Sequence, residues 1–119
     1  MRILLIEDER LLRWSLEQSL KKMGYDVQAF DNGKAALESL EKHTYDFVIT
    51  DYRLPDICGF EIINKTVAVQ PQAQIVVISA YLVPSIIEGI EKFGHIHIIS
   101  KPFRFEELIG AIKEASPSK

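Results

Sequence analysis

Short apolar runs rich in Val and Ile, each followed at once by polar or charged residues, recur along this chain of 119 residues. Four of them occupy positions 3–6, 47–50, 75–78 and 96–100. Runs of this kind are typical of parallel strands that are buried on both faces. The carboxyl ends of parallel strands meet at one edge of an open sheet, where ligands bind. We therefore expect the polar residues that follow these runs to share one crevice.

Strand and helix patterns alternate five times along the chain. The predicted strands are 2–6, 26–30, 46–50, 75–78 and 96–99, and the predicted helices are 9–23, 34–42, 60–69, 84–94 and 104–114. Short connections between them favour an α/β fold with a parallel sheet and right-handed crossovers. On the first helix, Leu12, Leu16, Leu20 and Met23 are expected to share a buried face. We assign 1–115 to one domain and 116–119 to the start of a linker or tail.

Composition excludes several classes of protein. Apolar residues make up 47% of the chain and charged residues 26%, with a net charge of -3. No run of Lys or Arg indicates direct nucleic-acid binding, and no apolar stretch is long enough to span a membrane. The single cysteine, Cys58, excludes an internal disulfide and fits a reducing compartment. We expect a cytoplasmic protein.

The residues after the predicted strands form a candidate site for phosphoryl chemistry. Asp51 ends the central strand, where a carboxylate can attack a phosphoryl donor and become an aspartyl phosphate. Carboxylates that share a site need a cation, and hard oxygen ligands suit Mg²⁺. We expect Asp8, Asp51 and the backbone carbonyl of Arg53 to bind the metal directly, with Glu7 acting through a water.

Two further side chains complete the expected site. Lys101 can pair with Asp51 before the reaction and with a phosphoryl oxygen afterwards. Ser79 can offer its hydroxyl group to another phosphoryl oxygen. Positioning and charge neutralisation account for most of the catalysis in phosphoryl transfer, so this small set of groups is sufficient.

Four motifs together resemble the receiver domain of two-component response regulators. They are Glu7-Asp8-Glu9, Asp51-Tyr52-Arg53-Leu54-Pro55-Asp56 with Gly59, Ile78-Ser79-Ala80, and Lys101-Pro102-Phe103. The resemblance covers essentially the whole chain. It implies a flavodoxin-like sheet of strand order 2-1-3-4-5, phosphorylation of Asp51 by a sensor histidine kinase, a requirement for Mg²⁺ and a cis Lys101-Pro102 bond. It implies a switch that catalyses only its own phosphorylation and slow dephosphorylation.

The resemblance also carries expectations about output. The string at 12–17 is similar to receivers of the nitrogen-regulation type, which precede an ATPase domain and a DNA-binding domain at sigma-54 promoters. This implies transcription regulation through an output domain or a partner protein. The fourth helix, fifth strand and fifth helix would form the face that changes on phosphorylation, and this face could also form a homodimer.

Three positions depart from the family pattern or are unusually bulky. Ile98 stands where many receivers carry an aromatic switch residue, so it cannot reproduce the rotation of a ring. Arg53 and Tyr81 each lie two residues after a site residue, where family members flank the path of the hydrolytic water. Because both side chains are bulky, we expect slow self-dephosphorylation.

Other functions and contacts remain open from the sequence. An aspartate-nucleophile phosphatase needs a second Asp where Arg53 stands, and a flavin mononucleotide carrier needs a phosphate loop rich in Ser, Thr and Gly after the first strand. A non-phosphorylated pseudo-receiver that serves only as an interaction module is the strongest rival. Trp14 is expected to fold down over Leu11 or the next loop, or else to contact a kinase or another receiver. His95 and His97 could form a metal pair, although no third ligand is evident.

Overall fold

The apolar runs form one five-stranded parallel sheet in the computed structural model, which describes residues 1–94 and 96–115. The strands are β1 (Arg2–Ile6), β2 (Asp26–Phe30), β3 (Phe47–Asp51), β4 (Gln74–Ser79) and β5 (His97–Ser100). Their order is β2-β1-β3-β4-β5, and each neighbouring pair is parallel. The predicted topology is confirmed, and every residue of the central strand β3 is buried.

Five helices cover the two faces of the sheet. They are α1 (Arg10–Lys22), α2 (Gly33–Lys42), α3 (Gly59–Val69), α4 (Pro84–Glu91) and α5 (Phe105–Ala115). Buried residues of α1 and α5 pack on one face of the sheet, and buried residues of α2, α3 and α4 pack on the other. Among the described residues, no helix has both the length and the hydropathy needed to cross a membrane.

The first helix buries a shorter apolar face than the sequence predicts. Leu16 and Leu20 are buried and Leu12 packs beside them, but Met23 is 42% exposed. Met23 lies beyond the end of α1, where Gly24 takes a φ of 96° and donates its backbone N–H to the carbonyl of Lys21. Met23 is the C-cap residue itself, so its side chain lies past the last turn that packs on the core. The predicted position of Met23 on the buried face is therefore wrong.

Helix α4 ends at Glu91 rather than at position 94. Backbone N–H groups of Lys92 and Phe93 bind carbonyls in the last turn, and Gly94 takes a φ of 115°. The chain thus leaves the helix through a short turn before β5. The predicted tail 116–119 lies outside the described residues, so its assignment as a linker stays a prediction.

A carboxylate from the loop between β3 and α3 caps the start of helix α2. Asp56 accepts the backbone N–H groups of Gly33 and Lys34 at 2.8 and 2.9 Å, one on each oxygen. The side chain of Asn32 accepts the N–H of Ala35 at 2.9 Å in the same turn. These bonds to the charged form lower the pKa of Asp56. The loop that follows Asp51 is therefore tied to a helix on the same face of the sheet.

We expect Asp56→Asn to lower the melting temperature by a few degrees at neutral pH, because an amide keeps only one accepting oxygen for the two N–H groups. The folded pKa of Asp56 lies below the unfolded value of 3.8, so its contribution is present above that value and is lost as the pH falls through the folded pKa. Thermal melts at neutral pH and an NMR titration of the carboxyl group measure both effects. The exposed Glu38→Gln on α2 is the control; an equal loss there, or an unshifted Asp56, would contradict the assignment.

Candidate functional site

The carboxyl ends of β1 and β3 bring three carboxylates together. Ile6 pairs with Thr50 in the parallel ladder, so the next residues, Glu7 and Asp51, lie at the same level at the end of the two strands. One carboxylate oxygen from each of Glu7, Asp8 and Asp51 lies within 4.8 Å of the others. Residues 44 positions apart in the chain thus meet because parallel strands end at a common edge.

Lys101 is the cation of this cluster. Its Nζ lies 2.7 Å from Asp51 Oδ2 and 3.0 Å from Glu7 Oε1. Burial alone would lower the pKa of Lys101, but its hydrogen bonds to Asp51 and Glu7 raise the pKa overall. The ammonium group is therefore held in its charged form, between two carboxylates that would otherwise repel each other. The Lys101-Pro102 bond is cis, as expected.

Glu7 is only 1% exposed, and both of its carboxylate oxygens already have partners. Oε1 binds Lys101, and Oε2 accepts the backbone N–H of Glu9 at 3.0 Å. Burial raises the pKa of Glu7, the largest effect on that group. Arg13, which the sequence did not single out, donates to the Glu7 carbonyl at 3.0 Å and fixes the start of α1 beside the site. A carboxylate so engaged suits contact with a metal through water rather than directly.

The donor set fits Mg²⁺. Asp8 is exposed, and Asp51 lies at the edge of a cavity of about 230 Å³ that Arg53 and Lys101 also line. Asp51 Oδ1 accepts the backbone N–H of Arg53 at 3.2 Å, which holds the loop close to the carboxylate. Mg²⁺ prefers a few hard oxygen ligands with room for waters, and this cavity offers both. Coordination by the carbonyl of Arg53 stays a prediction.

Ser79 is fully buried at the end of β4. Its Oγ accepts the backbone N–H of Tyr81 at 2.9 Å, and its carbonyl accepts the backbone N–H of Lys101 at 2.8 Å. A hydroxyl group that accepts one bond can still donate its own proton to a second partner. The position of Ser79, one strand from Asp51 and next to Lys101, is compatible with the role expected for it.

Arg53 and Tyr81 form a stacked pair at the cavity. The guanidinium carbon of Arg53 lies 4.4 Å from the centroid of the Tyr81 ring, and both residues line the cavity with Asp51. The sequence predicted that both bulky residues lie near the site. It did not predict the stacking, because two exposed side chains on separate loops have no periodicity that relates them.

Trp14 does not fold over its neighbours. Its side chain is 62% exposed and that of Leu11 is 78% exposed, so the expected packing of Trp14 is wrong. Both belong to α1, the helix whose N-terminus carries Glu9 and Arg13 beside the site. The suggested metal pair involves His95, which lies outside the described residues. His97 lies 3.5 Å from Glu114, and the three-residue group suited to a metal within 1–94 and 96–115 is Glu7, Asp8 and Asp51.

Comparison with known proteins points to one family. The response regulator receiver domain matches residues 3–113. The response regulator receiver protein CpdR of Brucella abortus is 30% identical over 113 residues, which cover 95% of this chain and 94% of that protein. Several other relatives are longer, and this chain spans between 29% and 56% of their length.

Solved structures give the same result. The non-phosphorylated HemR receiver domain of Leptospira biflexa superposes with a TM-score of 0.91 at 25% identity, covering 99% of this chain and 96% of that one. The response regulator TrrA of Thermotoga maritima, solved in complex with Mg²⁺ and BeF, superposes with a TM-score of 0.83 at 29% identity, covering 97% and 98%.

We expect Asp8→Asn to raise the melting temperature in EDTA by a few degrees, because it removes one of three clustered carboxylates, of which Lys101 pairs with the other two. Excess Mg²⁺ should stabilise the wild type by mass action and stabilise the variant much less. Thermal melts with and without Mg²⁺ test this, with the neighbouring exposed Glu9→Gln as control. Destabilisation of Asp8→Asn in EDTA would contradict repulsion among the three carboxylates, and equal stabilisation of both proteins by Mg²⁺ would show that Asp8 is not a metal ligand.

Proposed function

The chain belongs to the response regulator receiver domain family, and on that basis we propose that Asp51 accepts a phosphoryl group from a sensor histidine kinase. One observation carries the choice of Asp51: of the three clustered carboxylates, it is the one that both lines the cavity and binds Lys101 Nζ, at 2.7 Å. Proteins of this family act in two-component signal transduction. The pseudo-receiver alternative is tested by the adduct experiment below.

The proposed reaction is an in-line displacement at phosphorus. An oxygen of Asp51 forms the new P–O bond while the P–N bond of the kinase phosphohistidine breaks, and its electron pair stays on the imidazole nitrogen, which takes a proton from solvent. Mg²⁺, when bound, neutralises carboxylate and phosphoryl oxygens. The ammonium of Lys101 passes from the Asp51 oxygen to a phosphoryl oxygen, and the Ser79 hydroxyl donates to another.

Phosphorylation would bias a conformational equilibrium through β4 and β5. Ser79 pairs with Ser100 in the ladder, and its carbonyl binds the N–H of Lys101. A movement of Ser79 toward the phosphoryl group would therefore also move Ser100 in β5. Ser100 lies two residues after Ile98, which is half-buried. We propose that the surface of α4, β5 and α5 is the output face, and that the shift occurs here without an aromatic ring.

The remaining expectations concern partners and context. The exposed Trp14 and Leu11 on α1 are our candidates for the contact with the kinase, because that helix begins beside the phosphorylation site. An output domain or partner protein, transcription regulation of the nitrogen-regulation type, a homodimer and a cytoplasmic location stay predictions. So does the absence of direct contact with nucleic acid or membrane.

Incubation with acetyl phosphate is expected to add one phosphoryl group to the wild type in the presence of Mg²⁺, as measured by intact mass. Asp51→Asn should show no adduct, whereas Asp26→Asn, the same change at the opposite end of the sheet, should behave as the wild type. Folded wild-type protein that gains no mass, at time points short enough to capture a brief adduct, would favour the pseudo-receiver and contradict the proposal.

The lifetime of the phosphoryl group provides a second test. We expect Tyr81→Ala and Arg53→Ala each to speed self-dephosphorylation roughly two- to fivefold, the factor that corresponds to losing an exposed cation–π contact of about 0.5–1 kcal/mol at the water path. The double variant should add little to either single change, because the two side chains act as one pair.

Decay of the phosphorylated mass after removal of acetyl phosphate gives these rates. Val83→Ala is the matched control, since Val83 is half exposed and lies outside the residues that line the cavity with Asp51. Unchanged rates in both alanine variants would show that the stacked pair does not shield the phosphoryl group.

A further inference from the structure

A groove with an acidic rim runs between α4, β5 and α5. It has a volume of about 880 Å³, and its apolar lining includes Leu82, Ile87 and Ile98. The rim carries Glu91, Glu107 and Glu114, all exposed. Within 1–94 and 96–115, no Lys or Arg lines the groove, and the Nε2 atom of His97 lies 3.5 Å from the carboxylate of Glu114. We call this feature the acidic groove.

A glycine inside helix α5 leaves part of the groove wall without a side chain. Gly110 lies midway along Phe105–Ala115, and a Cβ added to it would meet nothing within 4 Å. The glycines with positive φ in the described residues are Gly24 and Gly94, so Gly110 has an ordinary helical backbone. Glycine is among the least favourable residues in a helix interior. Neither backbone conformation nor packing within the fold therefore requires a glycine at position 110. The close approach of a partner's backbone to α5 would require one.

A second copy of this chain is a poor occupant of the acidic groove. A twofold dimer built on one face sets the same surface against itself. The rim glutamates of both copies would then lie in one interface, and the described residues that line the groove include no Lys or Arg to pair with them. Like charges across an interface oppose association. The charge of the groove therefore argues against the homodimer expected from the sequence.

We infer that the acidic groove binds a basic amphipathic segment of a partner protein. Apolar side chains of that segment contact Leu82, Ile87 and Ile98, its Lys or Arg side chains pair with the rim glutamates, and its backbone passes close to Gly110. An amphipathic helix laid in an apolar groove is a common mode of recognition. The inference rests on the proposed function, because it names the partner chemistry of the output face.

A synthetic helical peptide of Leu and Lys, with Leu at i, i+3, i+4 and i+7, is the probe. We expect it to bind the wild type in a fluorescence anisotropy titration, and the same peptide with Glu in place of Lys not to bind. Glu114→Lys should raise the Kd roughly tenfold, as expected for reversing one rim charge. Glu38→Lys is the matched control, because it changes the net charge of the protein by the same amount at a site on α2 where the side chain is 73% exposed. Its Kd for the peptide should stay within about twofold of the wild-type value.

Two substitutions at Gly110 separate blocking of the groove from loss of folding. Gly110→Ala should raise the melting temperature slightly, since alanine favours the helix and meets no neighbour. Gly110→Trp should remain folded, as judged by its circular dichroism, and should lose peptide binding, because the ring fills the space that the partner needs. Peptide binding unaffected by Gly110→Trp would overturn the inference.

Several other results would also overturn it: no binding of the Lys peptide to folded wild type, an equal loss in Glu38→Lys, or a wild-type dimer in sedimentation that Gly110→Trp dissociates. Peptide binding is measured on protein whose phosphorylation has been determined by intact mass. An adduct without peptide binding rejects the acidic groove and leaves the proposed function standing. Peptide binding without an adduct rejects the proposed function alone.

Discussion

The ammonium of Lys101 is the interaction on which the rest of the site depends. It lies within 3.0 Å of Glu7 and within 2.7 Å of Asp51, two buried carboxylates at neighbouring strand ends. Without a cation these groups would repel each other in a setting that water screens less than it does at the protein surface. Lys101, the first residue after β5, therefore offsets part of the repulsion between the acidic residues at this edge of the sheet. The single positive charge of Lys101 does not neutralise three carboxylates. The remaining negative charge favours the binding of a second cation.

The sequence predicted the sheet and the site for the same physical reason. Strands buried on both faces must be apolar throughout, so the first polar residue after each run marks both the strand end and the crevice. That rule predicts the positions of Glu7, Asp51, Ser79 and Lys101 from the sequence alone. The structure places all four at that edge, although their chemical roles stay with the proposed function.

Other features depend on loop paths and had no signal in the sequence. Asp56 caps helix α2 by binding Gly33 and Lys34, which lie 23 and 22 positions before it in the chain. No periodic pattern of residues links positions so far apart. Stacking of Arg53 on Tyr81 likewise depends on how two loops leave the sheet. Met23 was misplaced because helical periodicity was carried one residue past the end of α1, where the glycine cap changes the chain direction. Periodicity describes the interior of an element and says little about its ends.

The Ser79 hydroxyl oxygen accepts a hydrogen bond from the N–H of Tyr81, and this bond connects the expected switch residue to the stacked pair. Tyr81 is also half of the stacked pair at the cavity mouth. Under the proposed function, a rotation of the hydroxyl that broke this bond would loosen the backbone that positions the ring, and so would expose the phosphoryl group on Asp51 to water. The lifetime of the aspartyl phosphate and the conformational change at β4 and β5 would then depend on the same hydrogen bond. A substitution that altered one of them would alter the other.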